Sequence, residues 1–345
     1  MGTARTARPT PPKGAAAMTA TTTSPRPTRQ APTTLSRLGH WAMNNGALVG
    51  LILLCIGLFI ATPSFLTVPN LINIGIQASV VAILAFGMTF VIVTAGIDLS
   101  VGSVAALGAV VSAYSFASLG LPGILTLVVG LLIGAGAGAI SGLSIAYGKL
   151  PSFIATLAMM SVARGLTLVI SDGTPITTSG TVSFMGGSIG GFPVPILAMV
   201  VAGLVCWFLL TRTVLGRSMY AIGGNEEAAR LSGLPVKRIL VIVYALSGLF
   251  AGLAGMVLAG RLSSAGPQAG VGYELDAIAA VVIGGASLSG GSGRATGTLV
   301  GAILLAVIRN GLNILNVSSF WQQVVIGLVI ALAVGFDVLR RKTSR

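Results

Sequence analysis

From Gly46 onward, long apolar runs alternate with short polar breaks in this chain. Ten apolar segments are legible, at 46–64, 71–94, 99–119, 121–147, 152–171, 192–211, 239–260, 274–290, 296–316 and 320–339. A helix needs roughly 20 apolar residues to cross a bilayer, and most of these runs reach that length. The eighth is short and glycine-rich, and it reads as broken or re-entrant. The pattern predicts an all-α integral membrane protein with about ten transmembrane helices, eight to ten if some are broken. We expect one membrane-embedded domain over 45–340.

Polar and charged residues are confined to a few places. Residues 1–40 are rich in Pro, Thr, Ala and Arg and contain no acid. That composition cannot bury a core, so a disordered basic tail is expected. Six of the twenty basic residues lie there, and Arg340, Arg341, Lys342 and Arg345 end the chain. Basic flanks on apolar spans mark the cytoplasmic side. An even number of crossings puts both termini there, in an inner or plasma membrane, together with Lys149, Arg212, Arg217 and the loop 212–238. Asp172, Arg261, Glu274 and Asp276 then fall toward the outer face, and Arg261 is the one basic residue left outside. The net charge of +13 is therefore no sign of nucleic acid, because no basic globular face carries it. Trp41, Trp207 and Trp321 stand near proposed span ends, where interfacial tryptophans belong.

Small residues recur at helical spacing. Gly130, Gly134, Gly138 and Gly142 form one stripe, and Gly248 and Gly252 repeat it. Such stripes allow close helix packing. A faint internal repeat is also present. VTAGIDLSVGSVAALGAVV (93–111) and VIGGASLSGGSGRATGTLV (282–300) match at nine of nineteen positions. Glycine-interrupted segments at corresponding places in two halves point to a transport pathway.

Catalytic and cofactor motifs do not assemble. Gly291-Ser292-Gly293 starts a dinucleotide fingerprint, but Thr296 stands where the third glycine belongs. Serines in glycine-rich turns have no histidine base, since the lone His40 precedes the first span. Gly148-Lys149 is followed by Leu150, so no phosphate-binding loop exists. Cys55 and Cys206 sit in apolar runs, and neither a metal set nor a cofactor is expected. Asp98, after a glycine-rich stretch, and Arg164, about 22 Å along a helix from Lys149, are the intramembrane charges. Such groups pair or face a watery cavity. With Ser100, Ser289 and Asn310 they are the candidates for the translocation pathway.

One stretch departs from the greasy background: NEEAARLSGLPVKR (225–238), with five charged residues in fourteen. Asn225 is an N-cap. Glu226 and Glu227 suit a helix's first turn, Glu226 and Arg230 are spaced to pair, and Gly233 and Pro235 end the helix. A two-turn helix over 226–232 is expected, either as an ordinary connection or as a docking knob for a cytoplasmic partner.

At this point a resemblance emerges. LGRSMYAIGGNEEAARLSGLPVKR (215–238), VTAGIDLSVGSVAALGA (93–109), GYELDAIAAVVIGGASLSGGSGRATGTLVGA (272–302) and RNGLNILNVSSFWQQVVIGLVIALAV (309–334) resemble the ribose/xylose-type permeases of bacterial ABC sugar importers, relatives of branched-chain amino-acid permeases. The resemblance implies a subunit that moves a monosaccharide and has no ATPase site of its own. Its partners would be cytoplasmic ABC ATPase subunits, an extracytoplasmic sugar-binding protein, a second permease copy and the surrounding lipid. It implies that Asn225, Glu226, Glu227, Ala228, Arg230, Leu231 and Gly233 form an ATPase-coupling helix. The alternatives are a secondary transporter or channel for a small polar solute, and a branched-chain amino-acid permease.

Overall fold

The computed structural model describes residues 46–343 and positions 2, 3 and 7, without the side chains of 333, 334 and 336–343. The rest of the predicted tail, His40 and Trp41 thus lie outside the described residues.

Helices occupy all ten predicted segments. They are α1 (Gly46–Ala61), α2 (Val68–Val93), α3 (Val101–Ala117), α4 (Gly123–Ala146) and α5 (Ser152–Ser171). After the short α6 (Gly180–Phe184) come α7 (Val194–Arg212), α8 (Val214–Gly224), α9 (Glu226–Leu231) and α10 (Val236–Leu262). The chain ends with α11 (Tyr273–Ile283), α12 (Ala295–Ile314) and α13 (Ser319–Thr343). Prolines place several starts: Pro69 lies in the first turn of α2, and Pro122, Pro151, Pro193 and Pro235 immediately precede α4, α5, α7 and α10. Proline suits these positions because the first turn has spare N–H groups.

The expectation is eight to ten transmembrane helices, some broken or re-entrant; among the described residues six are long and apolar enough to cross a membrane, α2, α4, α5, α7, α10 and α12. Helices α1 and α3 are shorter, as is the apolar part of α13, Ser319–Leu332. Helix α11 has 11 residues, or about 16 Å at 1.5 Å per residue, half the thickness of a hydrocarbon core. It stops at Gly284, and residues 284–294 continue without helix. Four two-residue strands went unpredicted. β1 (Ile176–Thr177) pairs antiparallel with β4 (Ser264–Ala265), Ile176 opposite Ala265, and β2 (Ser188–Ile189) pairs with β3 (Phe192–Pro193).

Helix α2 is the central post, 89% buried over its apolar window, against 28% for α4 and α5, whose outer faces are left for lipid. It packs on α7, α10, α11 and α12. Helices α4 and α10 form the closest pair, and the predicted glycine stripe explains why. The backbones of Gly134 and Gly248 touch, so a methyl on either would overlap the other's carbonyl oxygen. Gly108 of α3 enters the same crossing, with Gly252 Cα 3.0 Å from where its Cβ would be. Between helices in lipid there is little hydrophobic drive, and close backbone approach supplies the packing.

A candidate coupling site

Helix α9 forms as its residues dictate. Asn225 is extended, and its Oδ1 accepts from Ala228 N at 2.9 Å. Glu226 and Glu227 occupy the first turn. The expected Glu226–Arg230 pair is replaced by Glu227, one residue nearer, whose Oε2 accepts from Arg230 Nε at 3.1 Å. Arg230 holds the Glu227 carboxyl below its ordinary pKa, through a hydrogen bond and its charge. Gly233 takes φ +83°, a left-handed conformation open to glycine.

Ala229 is the one buried residue of α9, and Leu231 at its end is 78% exposed. The helix presents charge and a lone leucine outward. Lys237, at the start of α10, lies over the Tyr147 ring at 5.3 Å and ties this end of α10 to the end of α4.

Helix α8, joined to α9 through Asn225, rests on both glycine-rich breaks. Gly291 N donates at 3.0 Å to O of Val93, the last residue of α2, and Gly290 packs against Ala95, so the break after α2 (94–100) and the break after α11 (284–294) meet. Gly223 of α8 fills the space beside that bond. A Cβ on it would lie 2.5 Å from Gly291 N and closer still to Val93 O. Tyr220 of α8 donates its hydroxyl to Gly293 O at 2.8 Å. The two copies of the sequence repeat are thus brought to one point, in contact with the helix that leads into α9.

The first break is held by hydroxyls. Asp98 is buried, its Oδ1 accepting from Ser100 N at 3.0 Å and Ser100 Oγ at 2.6 Å, and its Oδ2 from Ser247 Oγ of α10 at 2.8 Å. From α5, Thr156 Oγ1 accepts from Leu99 N at 3.2 Å and Ser152 Oγ from Ile97 N at 3.4 Å. Non-helical backbone at membrane depth is tolerated when protein groups satisfy it in this way. Ser247 is about 17 Å along α10 from Val236, near the middle of that helix.

Of the five pathway candidates, Asp98 and Ser100 form one cluster, and Ser289 lies exposed in the second break. The structure does not bring Arg164 or Asn310 to them. Arg164 Nη1 donates to Pro267 O and, at 3.1 Å, to Ala269 O, pinning the non-helical stretch before α11. Asn310 exchanges amide hydrogen bonds with Asn70 at 3.0 and 2.8 Å, fastening α12 to the start of α2. Sequence reasoning missed Ser247, Tyr220 and Gly223. Hydropathy gives a residue's depth but not the neighbour it faces.

The profile of the family described as "branched-chain amino acid transport system / permease component" matches residues 70–334. The ribose import permease protein of Bacillus subtilis (strain 168) is 51% identical over 303 residues, 87% of this chain and 93% of that protein. The D-allose transport system permease protein of Escherichia coli (strain K12) is 42% identical over 280 residues, 81% of this chain and 86% of that one. The L-arabinose ABC transporter permease protein of Azospirillum brasilense is 37% identical over 332 residues, 94% and 96% of the two chains. No solved structure matches. Well over half of the chain lies within the profile, and the relatives match over nearly their full lengths: the chain belongs to the branched-chain amino acid transport system / permease component family.

Proposed function

We propose that this chain is the membrane-spanning subunit of an ABC importer that carries a monosaccharide inward, driven by a separate ATPase. The observation that carries this reading is the 51% identity to a ribose import permease across 93% of that protein. The family's name offers branched-chain amino acids as a second substrate class. The matches to permeases named for ribose, D-allose and L-arabinose favour sugar.

In this reading two copies of the chain enclose one pathway, both termini face the cytoplasm, and a sugar-binding protein delivers substrate from outside. The loop 212–238 is the coupling loop, and α9 docks on the ATPase through Asn225, Glu226, Glu227, Ala228, Arg230, Leu231 and Gly233. Its short length makes it marginal in isolation, and an ATPase groove gives it something to lean on. A ligand shifts a conformational equilibrium only by binding its states unequally. ATP acts on this chain through the ATPase, and the motion has two rigid routes. One runs from α9 into α8, and at Gly223 it reaches the joint of both breaks. The other runs along α10 to Ser247 and the Asp98 cluster.

The test is uptake of radiolabelled D-ribose, D-xylose, L-arabinose and L-leucine into liposomes holding the chain with its ATPase and binding protein. ATP-dependent uptake of a sugar and none of leucine supports the reading. Uptake that ignores ATP and follows an ion gradient overturns it.

A further inference from the structure

At the end of α10 remote from α9, a partly open polar pocket of about 270 Å³ lies between α2, α10, α11, α12 and α13. Arg261 on its wall is about 38 Å along α10 from Val236. Asp276 of α11 is buried and ion-paired with Arg309 of α12. That pair could be a plain cross-link between two helices, because a charge at membrane depth is costly unless matched. The rest of the lining exceeds what a cross-link requires. Gln77, Arg261, Tyr273 and Gln322 also face the space. Arg261 makes no hydrogen bond or ion pair among the described residues, although it is half-buried. A guanidinium carries five donors and no acceptor, so this one calls for oxygen from whatever fills the cavity.

We propose that this cavity is a monosaccharide site within the protomer, at the end where substrate arrives. The inference rests on the sugar-importer reading above. The volume is that of about nine waters at ~30 Å³ each, below the ~300 Å³ where pockets for drug-sized ligands begin. A ring sugar presents a donor and an acceptor at nearly every carbon. The lining answers with donors at Arg261, Arg309 and Gln77, acceptors at Asp276 and at the Gln322 carbonyl oxygen, whose amide N–H groups are already given to Asn313 and Val317, and the amphipathic ring of Tyr273. The site would check the sugar after its release from the binding protein, so it acts on specificity in addition to transfer.

The test uses the permease–ATPase complex in nanodiscs without binding protein, probed with D-ribose by saturation-transfer NMR. The variants are Arg261→Gln and the uncharged change Gln77→Leu, each first shown to keep the wild-type melting temperature. Millimolar ribose should give a signal in the wild type that falls at least fivefold in both variants. No wild-type signal, or a signal undiminished in the variants, overturns the proposal. So does a fall confined to co-purified anionic lipid, which would make the cavity a headgroup site. Uptake by the complete wild-type transporter is measured in parallel. Sugar uptake without variant-sensitive binding removes this site and leaves the importer reading intact, whereas transport of no sugar removes both.

Discussion

Gly223 and Gly224 are adjacent in α8, yet a methyl group should have opposite consequences at the two positions. At Gly223 it would collide with Val93 O and Gly291 N, the two atoms whose 3.0 Å hydrogen bond joins the breaks. Overpacking of this kind costs about 1–3 kcal/mol, and separating the partly buried Gly291 N–H from its buried carbonyl partner adds up to about 1–3 kcal/mol. Alanine's better helix propensity returns about 1 kcal/mol. The net penalty on the arrangement seen here is therefore about 1–5 kcal/mol, set against conformational states that differ by a few kcal/mol. At Gly224 nothing lies within 4 Å of the added carbon, and only the propensity gain remains. Gly223→Ala should lower ATP-dependent uptake at least tenfold at unchanged membrane abundance, while Gly224→Ala leaves it unchanged. The assay is labelled-sugar uptake in reconstituted liposomes, with permease content measured by blot. Equal uptake by the two variants would refute the claim that α8 drives the joint.

Other positions give sharper or milder effects. Asp98→Ala strands three buried donors, each costing about 1–3 kcal/mol, and should greatly reduce the amount of folded permease recovered in detergent. Asp98→Asn keeps the shape and one acceptor oxygen, and Ser247 can rotate to accept, so a melting temperature close to wild type is expected. Glu226→Lys with Glu227→Lys reverses the charge at the start of α9, and Gly233→Arg forces a side chain into φ +83°. Each should abolish uptake while the protein still inserts, as read by fractionation and transport on the same membranes. Gly134→Val drives side-chain atoms into the Gly248 backbone and should lower the melting temperature in detergent by several degrees. A wild-type value would remove the close α4–α10 crossing from the account.

The placement of helices was legible because a bilayer demands long apolar runs, and prolines at 69, 122, 151, 193 and 235 mark where they begin. The weak eighth segment proved to be half a helix for the reason its glycines suggested: at Gly284–Gly285 the chain leaves helical geometry. Asn225, the acidic first turn and Gly233 also read directly, since capping is local. Interactions across the fold did not. Arg230 has acids at both i−3 and i−4, and spacing does not choose between them. Arg164 reads from the sequence as a pathway charge or an ion-pair member; in the fold the charge of Glu274 acts on it, and it also binds carbonyls of Pro267 and Ala269, which carry no side-chain signal. The repeat in 93–111 and 282–300 revealed two related breaks, but that they meet, through Val93 and Gly291, is a property of folded backbone. The short strands at 176–177 and 264–265 are too brief to show a period.

The most direct test places a single cysteine at Leu231, the exposed tip of α9, in a permease with Cys55 and Cys206 replaced. A short thiol crosslinker is applied in native membranes with and without ATP, and the captured protein is identified by mass spectrometry. The account predicts one dominant product with an ABC ATPase, at a yield that changes when ATP is bound, and none from a control cysteine at Ile189. Equal crosslinking of the ATPase from both positions, or capture of no ATPase by a chain that still transports, would contradict it.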